Sequence, residues 1–203
     1  MITVIAGVNG AGKSTIAGAY IRNSGGDYFN PDEVAKQLRL DNNDLSVEEA
    51  NSNAWHMGFD QLNRAIEEAQ DYTFETTLGG NSICQTLHEA IDRGLEVRIL
   101  YCGLDSLELH IQRVTERVAQ GGHDIPEEKI RQRWTNSIHN MMGLLPRCSA
   151  VKVFDNSIPK DNNGPKPVCL FSLKGLAFEV APVKAMPDWA KPLASEAIKK
   201  VTG

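Results

Sequence analysis

Residues 7–15 read GVNGAGKST and follow directly on ITVIA, a short apolar run with the character of a buried strand. The nine residues satisfy the pattern G-x-x-x-x-G-K-[ST] through Gly7, Gly12, Lys13 and Ser14. Glycines let the backbone curl with its N–H groups turned inward, and the helix that opens behind them adds the positive end of its dipole. The loop formed by Gly7, Asn9, Gly10, Ala11, Gly12, Lys13, Ser14 and Thr15 is therefore expected to hold nucleotide phosphates. Lys13 would reach the β- and γ-phosphates, and the Ser14 hydroxyl would ligate Mg²⁺. The motif comes directly after a buried strand and opens a helix, as phosphate binding requires, so the expected class is α/β with a P-loop NTPase fold. The motif leaves the reaction open. A base-reading N-K-x-D motif is absent, which favours ATP over GTP.

The rest of the chain agrees with that class. A helical pattern runs from the loop through Arg22 and stops before Gly25-Gly26. From Ser46 to Gln70, Trp55, Phe59, Leu62, Ile66 and Ala69 recur at helical spacing and predict the buried face of a long helix. DYTFETT and EVRILYC read as strands, separated by a helix with Ile83, Leu87 and Ile91 on one face and Gly94 just past its end. Two further helices carry stripes of Leu107, Ile111, Val114 and Val118, then Ile130, Trp134, Ile138, Met141 and Leu145; AVKVF (150–154) is a fourth strand. Strand alternating with helix implies a central parallel sheet flanked by helices. Past residue 155 the chain turns Asn- and Pro-rich, and VCLFSLKGLAFEV reads as a hairpin turning at Lys174-Gly175, followed by a helix that includes Trp189. The expected organisation is one domain, with a core over 1–155, a helical lid near 113–133 and an appendage over 156–203.

Composition narrows the partners. With 203 residues, 41% hydrophobic and 23% charged, the chain can bury a sizeable core, and its net charge of −5 argues against a sequence-independent nucleic-acid surface. No window is apolar enough for a membrane span and no signal-peptide pattern opens the chain, so no membrane partner and a cytoplasmic location are expected. Cys84, Cys102, Cys148 and Cys169 are widely spaced and read as plain core thiols.

An anion site is suggested by QRVTERVAQGGHDIPEEKIRQRW (112–134), which sets Arg113, Arg117, Arg131 and Arg133 about a Gly-Gly joint. Two basic helix faces meeting at a hinge suit a lid that closes over a triphosphate and excludes water. The same arginines also read as a solvated face paired with Glu116, Glu127 and Glu128. Asp124 and Glu127 read as the cap of the second lid helix, and Asp105 with Glu108 as a capping box for the first. In FNPDEV (29–34), Asn30 reads as N-cap and Pro31 as the first helical residue; Asp32 and Glu33 are then dipole-favoured acids, or Asp32 is the carboxylate that takes the proton of an attacking hydroxyl. Glu75 ends a strand, where ligand sites of α/β sheets collect, or is a strand-end charge facing solvent; Thr76 and Thr77 read as β-formers or loop caps rather than phosphate ligands.

Taken together, GVNGAGKST, NPD at 30–32, FETTL at 74–78 and RVTERVAQGGHDIPEEKIRQR at 113–133 resemble the zeta toxin family of P-loop kinases, the toxin half of bacterial toxin–antitoxin pairs. The resemblance implies ATP- and Mg²⁺-dependent phosphorylation of a small-molecule acceptor, a sugar hydroxyl of UDP-N-acetylglucosamine, and an antitoxin protein as partner. It implies Lys13 and Ser14 for nucleotide and metal, Asp32 as general base, and Glu75 with Thr76 in the acceptor pocket. Arg113 falls to the nucleotide, and Arg117 with Arg131 or Arg133 to the transferred phosphoryl group.

Overall fold

The computed structural model describes residues 1–16, 18, 27–122, 124–159 and 166–203. Strand β1 (Ile2–Ala6) is buried along its whole length because it lies inside a sheet covered on both faces. It pairs in parallel with β2 (Tyr72–Thr76) on one side and with β3 (Val97–Gly103) on the other. Strand β4 (Ala150–Asp155) continues the parallel set beside β3. Strands β5 (Val168–Lys174) and β6 (Ala177–Val180) add antiparallel, giving a mixed sheet of order β2-β1-β3-β4-β5-β6. The expected hairpin thus extends the sheet. Its two-residue loop is Gly175-Leu176 rather than Lys174-Gly175, since Lys174 pairs with Ala177 and the positive φ of 60° falls on Gly175, which opens the turn.

Side-chain alternation along β1 divides the core. Ile2, Val4 and Ala6 pack with residues such as Leu62, Leu87, Met141 and Leu193, whereas Ile5 points to the other face with Ile16, Leu100 and Cys102. The first face is covered by helices α3 (Val47–Glu67), α4 (Asn81–Asp92), α6 (Glu127–Leu144) and α7 (Lys191–Thr202). The second receives helix α1, which opens at residue 13; the part expected to run to Arg22 lies mostly outside the described residues. Helix α2 (Pro31–Asp41) packs on α3 through Ala35, Ala50 and Ala54, and α5 (Leu107–Ala119) on α6 through Val114 and Ile130. Among the described residues no helix is long and apolar enough to cross a membrane.

Three local expectations are corrected. The buried face of α3 is Ala50, Ala54, Gly58, Leu62, Ala65 and Ile66, and Trp55 is 42% exposed. Small residues let α2 and Phe29 approach closely: a Cβ on Gly58 would lie 2.6 Å from the Phe29 ring. Ala69 is likewise exposed, beyond the helix end. The cap of α5 is Ser106, whose hydroxyl accepts from the Leu109 N–H at 3.2 Å, so Asp105 is not the cap. Helix α6 starts behind Pro126 with no side-chain cap, and Asp124 instead lines a cleft.

Candidate active site

Parallel strands share a direction, so β1, β2, β3 and β4 all deliver their C-terminal ends to one edge of the sheet. The glycine loop leaves β1 there, Glu75 and Thr76 close β2, and Asn156 follows β4. Lys13 lies under the loop with its Nζ 3.5 Å from Glu75 Oε1, and each side chain is only 8% exposed. Burial pushes the Glu75 pKa up, Lys13 draws it down, and Asp32 and Glu33 oppose Lys13. Ser14 is exposed beside Lys13, and Thr15 is half-buried. A hydroxyl oxygen in that position suits a hard cation that takes its remaining ligands from phosphate and water.

Asn30 links the base of the site to helix α2. Its Oδ1 accepts from the N–H groups of Asp32 (2.9 Å) and Glu33 (3.4 Å), while its Nδ2 donates to Tyr28 Oη (3.3 Å) and Glu75 Oε2 (3.5 Å). The backbone carrying Asp32 is therefore fixed against the sheet edge, where Phe29 bridges to Phe74. The Asp32 carboxylate is half-exposed and stands 3.8 Å from the Arg117 guanidinium.

The structure separates the four arginines. Arg133 donates from Nη1 to Asn9 Oδ1 at 2.9 Å, and burial lowers its pKa against the pull of Asp32. Arg117 faces Asp32, and Arg113 donates to the Ser157 carbonyl at 3.4 Å. Arg131 is half-exposed and forms two hydrogen bonds to Glu127 one turn back, at 2.8 and 2.6 Å. That pairing leaves Arg133, not Arg131, facing the loop.

Asp32, Glu75, Thr76, Asn9 and Arg133 border a cleft of about 730 Å³. Thr76 spends its hydroxyl on the Leu78 N–H (3.1 Å), shaping the turn after β2, where Leu78 adopts a φ of 55°. The far wall is aromatic, with Trp55 stacked on Phe59 at 5.0 Å and an interplanar angle of 11°. The aromatic pair read from the sequence as core is thus part of the wall.

Three side chains around the loop were not anticipated. His110 is 1% exposed and reaches the Asn9 carbonyl through Nδ1 at 2.8 Å; burial, with Lys13 and Arg113 nearby, lowers its pKa to about 4. Asn156 Nδ2 donates to the Ala11 carbonyl at 2.9 Å, and Cys102 Sγ donates to the same oxygen at 3.0 Å. His110 was detectable as a polar residue within the apolar stripe of α5, and Asn156 as an amide just past a strand end.

A family model described as AAA domain matches residues 2–136. An uncharacterized protein of Haemophilus influenzae is 30% identical over 128 residues, 63% of this chain and 88% of its own. A chain of the AvrRxo1-ORF1:AvrRxo1-ORF2 complex crystallised with sulphate ions superposes on 100% of this chain with a TM-score of 0.66 at 16% identity; this chain spans 63% of that one, short of two thirds. The complex with ATP aligns over the same shares with a TM-score of 0.64, also at 16% identity. A chain of the PezAT chromosomal toxin–antitoxin system of the human pathogen Streptococcus pneumoniae superposes on 85% of this chain and 71% of its own, with a TM-score of 0.59 and 18% identity. At such identities the likeness is one of fold, the α/β P-loop fold.

Proposed function

Because the chain belongs to the AAA domain family, matched over residues 2–136, we propose that it is an ATP- and Mg²⁺-dependent small-molecule kinase of zeta-toxin type. The acceptor proposed is a sugar hydroxyl of UDP-N-acetylglucosamine or a similar compound. The observation that carries this reading is the juxtaposition of Asp32 with Arg117 and Arg133 at the mouth of a glycine loop, on a cleft roomy enough for an acceptor. Asp32 accepts the proton of the attacking hydroxyl; its oxygen forms the new bond to the γ-phosphorus as the bond to the β–γ bridging oxygen breaks, and ADP leaves. Lys13, Arg117 and Arg133 offset the charge on the transferring group; the Ser14 hydroxyl would hold Mg²⁺, which would supply further charge stabilisation when bound.

Glu75 is less suited to be the base, since it is paired with Lys13 beneath the loop. Its place at the cleft floor suits an acceptor contact, with Thr76 holding the turn beside it. Arg113, on the other side of the loop, is assigned to the nucleotide. The stacked Trp55 and Phe59 offer a flat face to a ring of the acceptor. An antitoxin partner and a cytoplasmic location belong to the same proposal, the former supported by the complexes in which the structural neighbours occur.

The test is product formation. Protein, Mg·ATP and a panel of UDP-sugars and simple sugars are mixed, and a phosphorylated acceptor is sought by mass spectrometry. Asp32→Asn is expected to lower transfer by about 10²- to 10⁴-fold with ATP binding retained. Near-normal turnover in that variant would remove Asp32 as base. ADP release indifferent to every acceptor would replace the kinase with a nucleotide-driven switch.

A further inference from the structure

A peptide unit is planar and trans, so its C=O and the following N–H point in opposite directions. Two carbonyls of the loop, one residue apart across Gly10, are held by groups from other elements: Asn9 O by His110 Nδ1 at 2.8 Å, and Ala11 O by Asn156 Nδ2 at 2.9 Å with Cys102 Sγ at 3.0 Å. The N–H groups of Gly10 and Gly12 are thereby turned the other way, into the concave side of the loop. We propose that His110 and Asn156 are positioning residues that preset these two N–H groups for the phosphates of a nucleoside triphosphate.

The surroundings leave little freedom for any other arrangement. A carbonyl only accepts, so His110 carries its proton on Nδ1, and burial, helped by the nearby charges of Lys13 and Arg113, keeps the ring neutral. Gly10 and Gly12 have φ of 83° and 84°, and both are closed in from outside. A Cβ on Gly10 would lie 2.7 Å from the His110 carbonyl, and one on Gly12 would run into the Asn156 amide. The two anchors come from different places: His110 from α5, which also carries Arg113 and Arg117, and Asn156 from the end of β4. Asn9 is gripped a second time, on its side chain, by Arg133 of α6. Both lid helices therefore hold one loop residue, and lid and loop are geometrically linked. The inference rests on the polyphosphate-binding part of the proposed function and needs no acceptor.

Calorimetric titration with Mg·ATP and with inorganic tripolyphosphate tests it, with thermal melting of the ligand-free proteins as the check on folding. An asparagine amide can stand near the position of Nδ1 and a glutamine amide near that of Nε2. His110→Asn is thus expected to bind both probes within about threefold of the parent, and His110→Gln about tenfold more weakly, the equivalent of one lost hydrogen bond. Asn156→Leu, similar in shape but without a donor, is expected to weaken both probes to a similar degree. The proposal is overturned if folded His110→Gln and Asn156→Leu bind as the parent does, if His110→Asn loses as much as His110→Gln, or if ATP weakens while tripolyphosphate does not. A parent protein that binds neither probe would refute nucleotide binding itself, whereas binding without acceptor turnover would refute only the kinase reading.

Discussion

Glu75 and Lys13 occupy one buried space, and removing either would leave a charge without its partner, at a cost of about 3–5 kcal/mol. Burial, the largest effect on Glu75, raises its folded pKa above the unfolded value of about 4.3. A carboxyl raised in this way contributes stability that is fully present below the unfolded pKa and is lost as pH rises through the folded one. Urea unfolding of the parent and of Glu75→Gln should therefore diverge, the parent losing stability relative to the variant as pH climbs from the ordinary carboxylate range towards neutrality. Parallel pH profiles would show that Glu75 titrates normally. The pairing of Glu75 with Lys13 could not be seen in the sequence, because 62 positions separate them and only the parallel register of β1 with β2 brings them together.

At the scale of elements, the helices were legible and their caps less so. Asp105 and Ser106 are adjacent candidates of similar intrinsic preference, and the choice fell to Ser106 because its hydroxyl meets the Leu109 N–H, while the Asp105 backbone N–H is taken by Ser157 Oγ at 2.7 Å. Ser106→Ala is expected to cost about 1 kcal/mol of stability, and Asp105→Ala under about 0.5 kcal/mol, in chemical denaturation. Equal losses would contradict the assignment. Helix α3 shows the same limit. Trp55 and Phe59 fit a helical stripe, but a stripe does not state which side meets the protein, and α2 demanded the face with Ala50, Ala54 and Gly58. The aromatic face was left to the cleft.

Across the whole molecule, the C-terminal segment is tied into the sheet. Trp189 is 5% exposed, its ring lies 6.1 Å from that of Tyr101, and a Cβ on Gly103 would lie 2.5 Å from its indole. Trp189→Ala should cost about 3–5 kcal/mol, and the remaining unfolding should stay a single transition by circular dichroism and by the fluorescence of Trp55 and Trp134. Two separated transitions would mean that residues after 155 fold as an independent unit. By itself the sequence determined the α/β class, the glycine loop and the identity of the charged residues around it, because loop chemistry and strand or helix periodicity are local properties. The tertiary structure alone decided that Arg133 and not Arg131 faces the loop, that His110 and Asn156 hold its carbonyls, and that the hairpin completes the sheet. Those outcomes depend on which backbone and side-chain groups from distant segments reach the same few ångströms, and spacing along one segment carries no record of that.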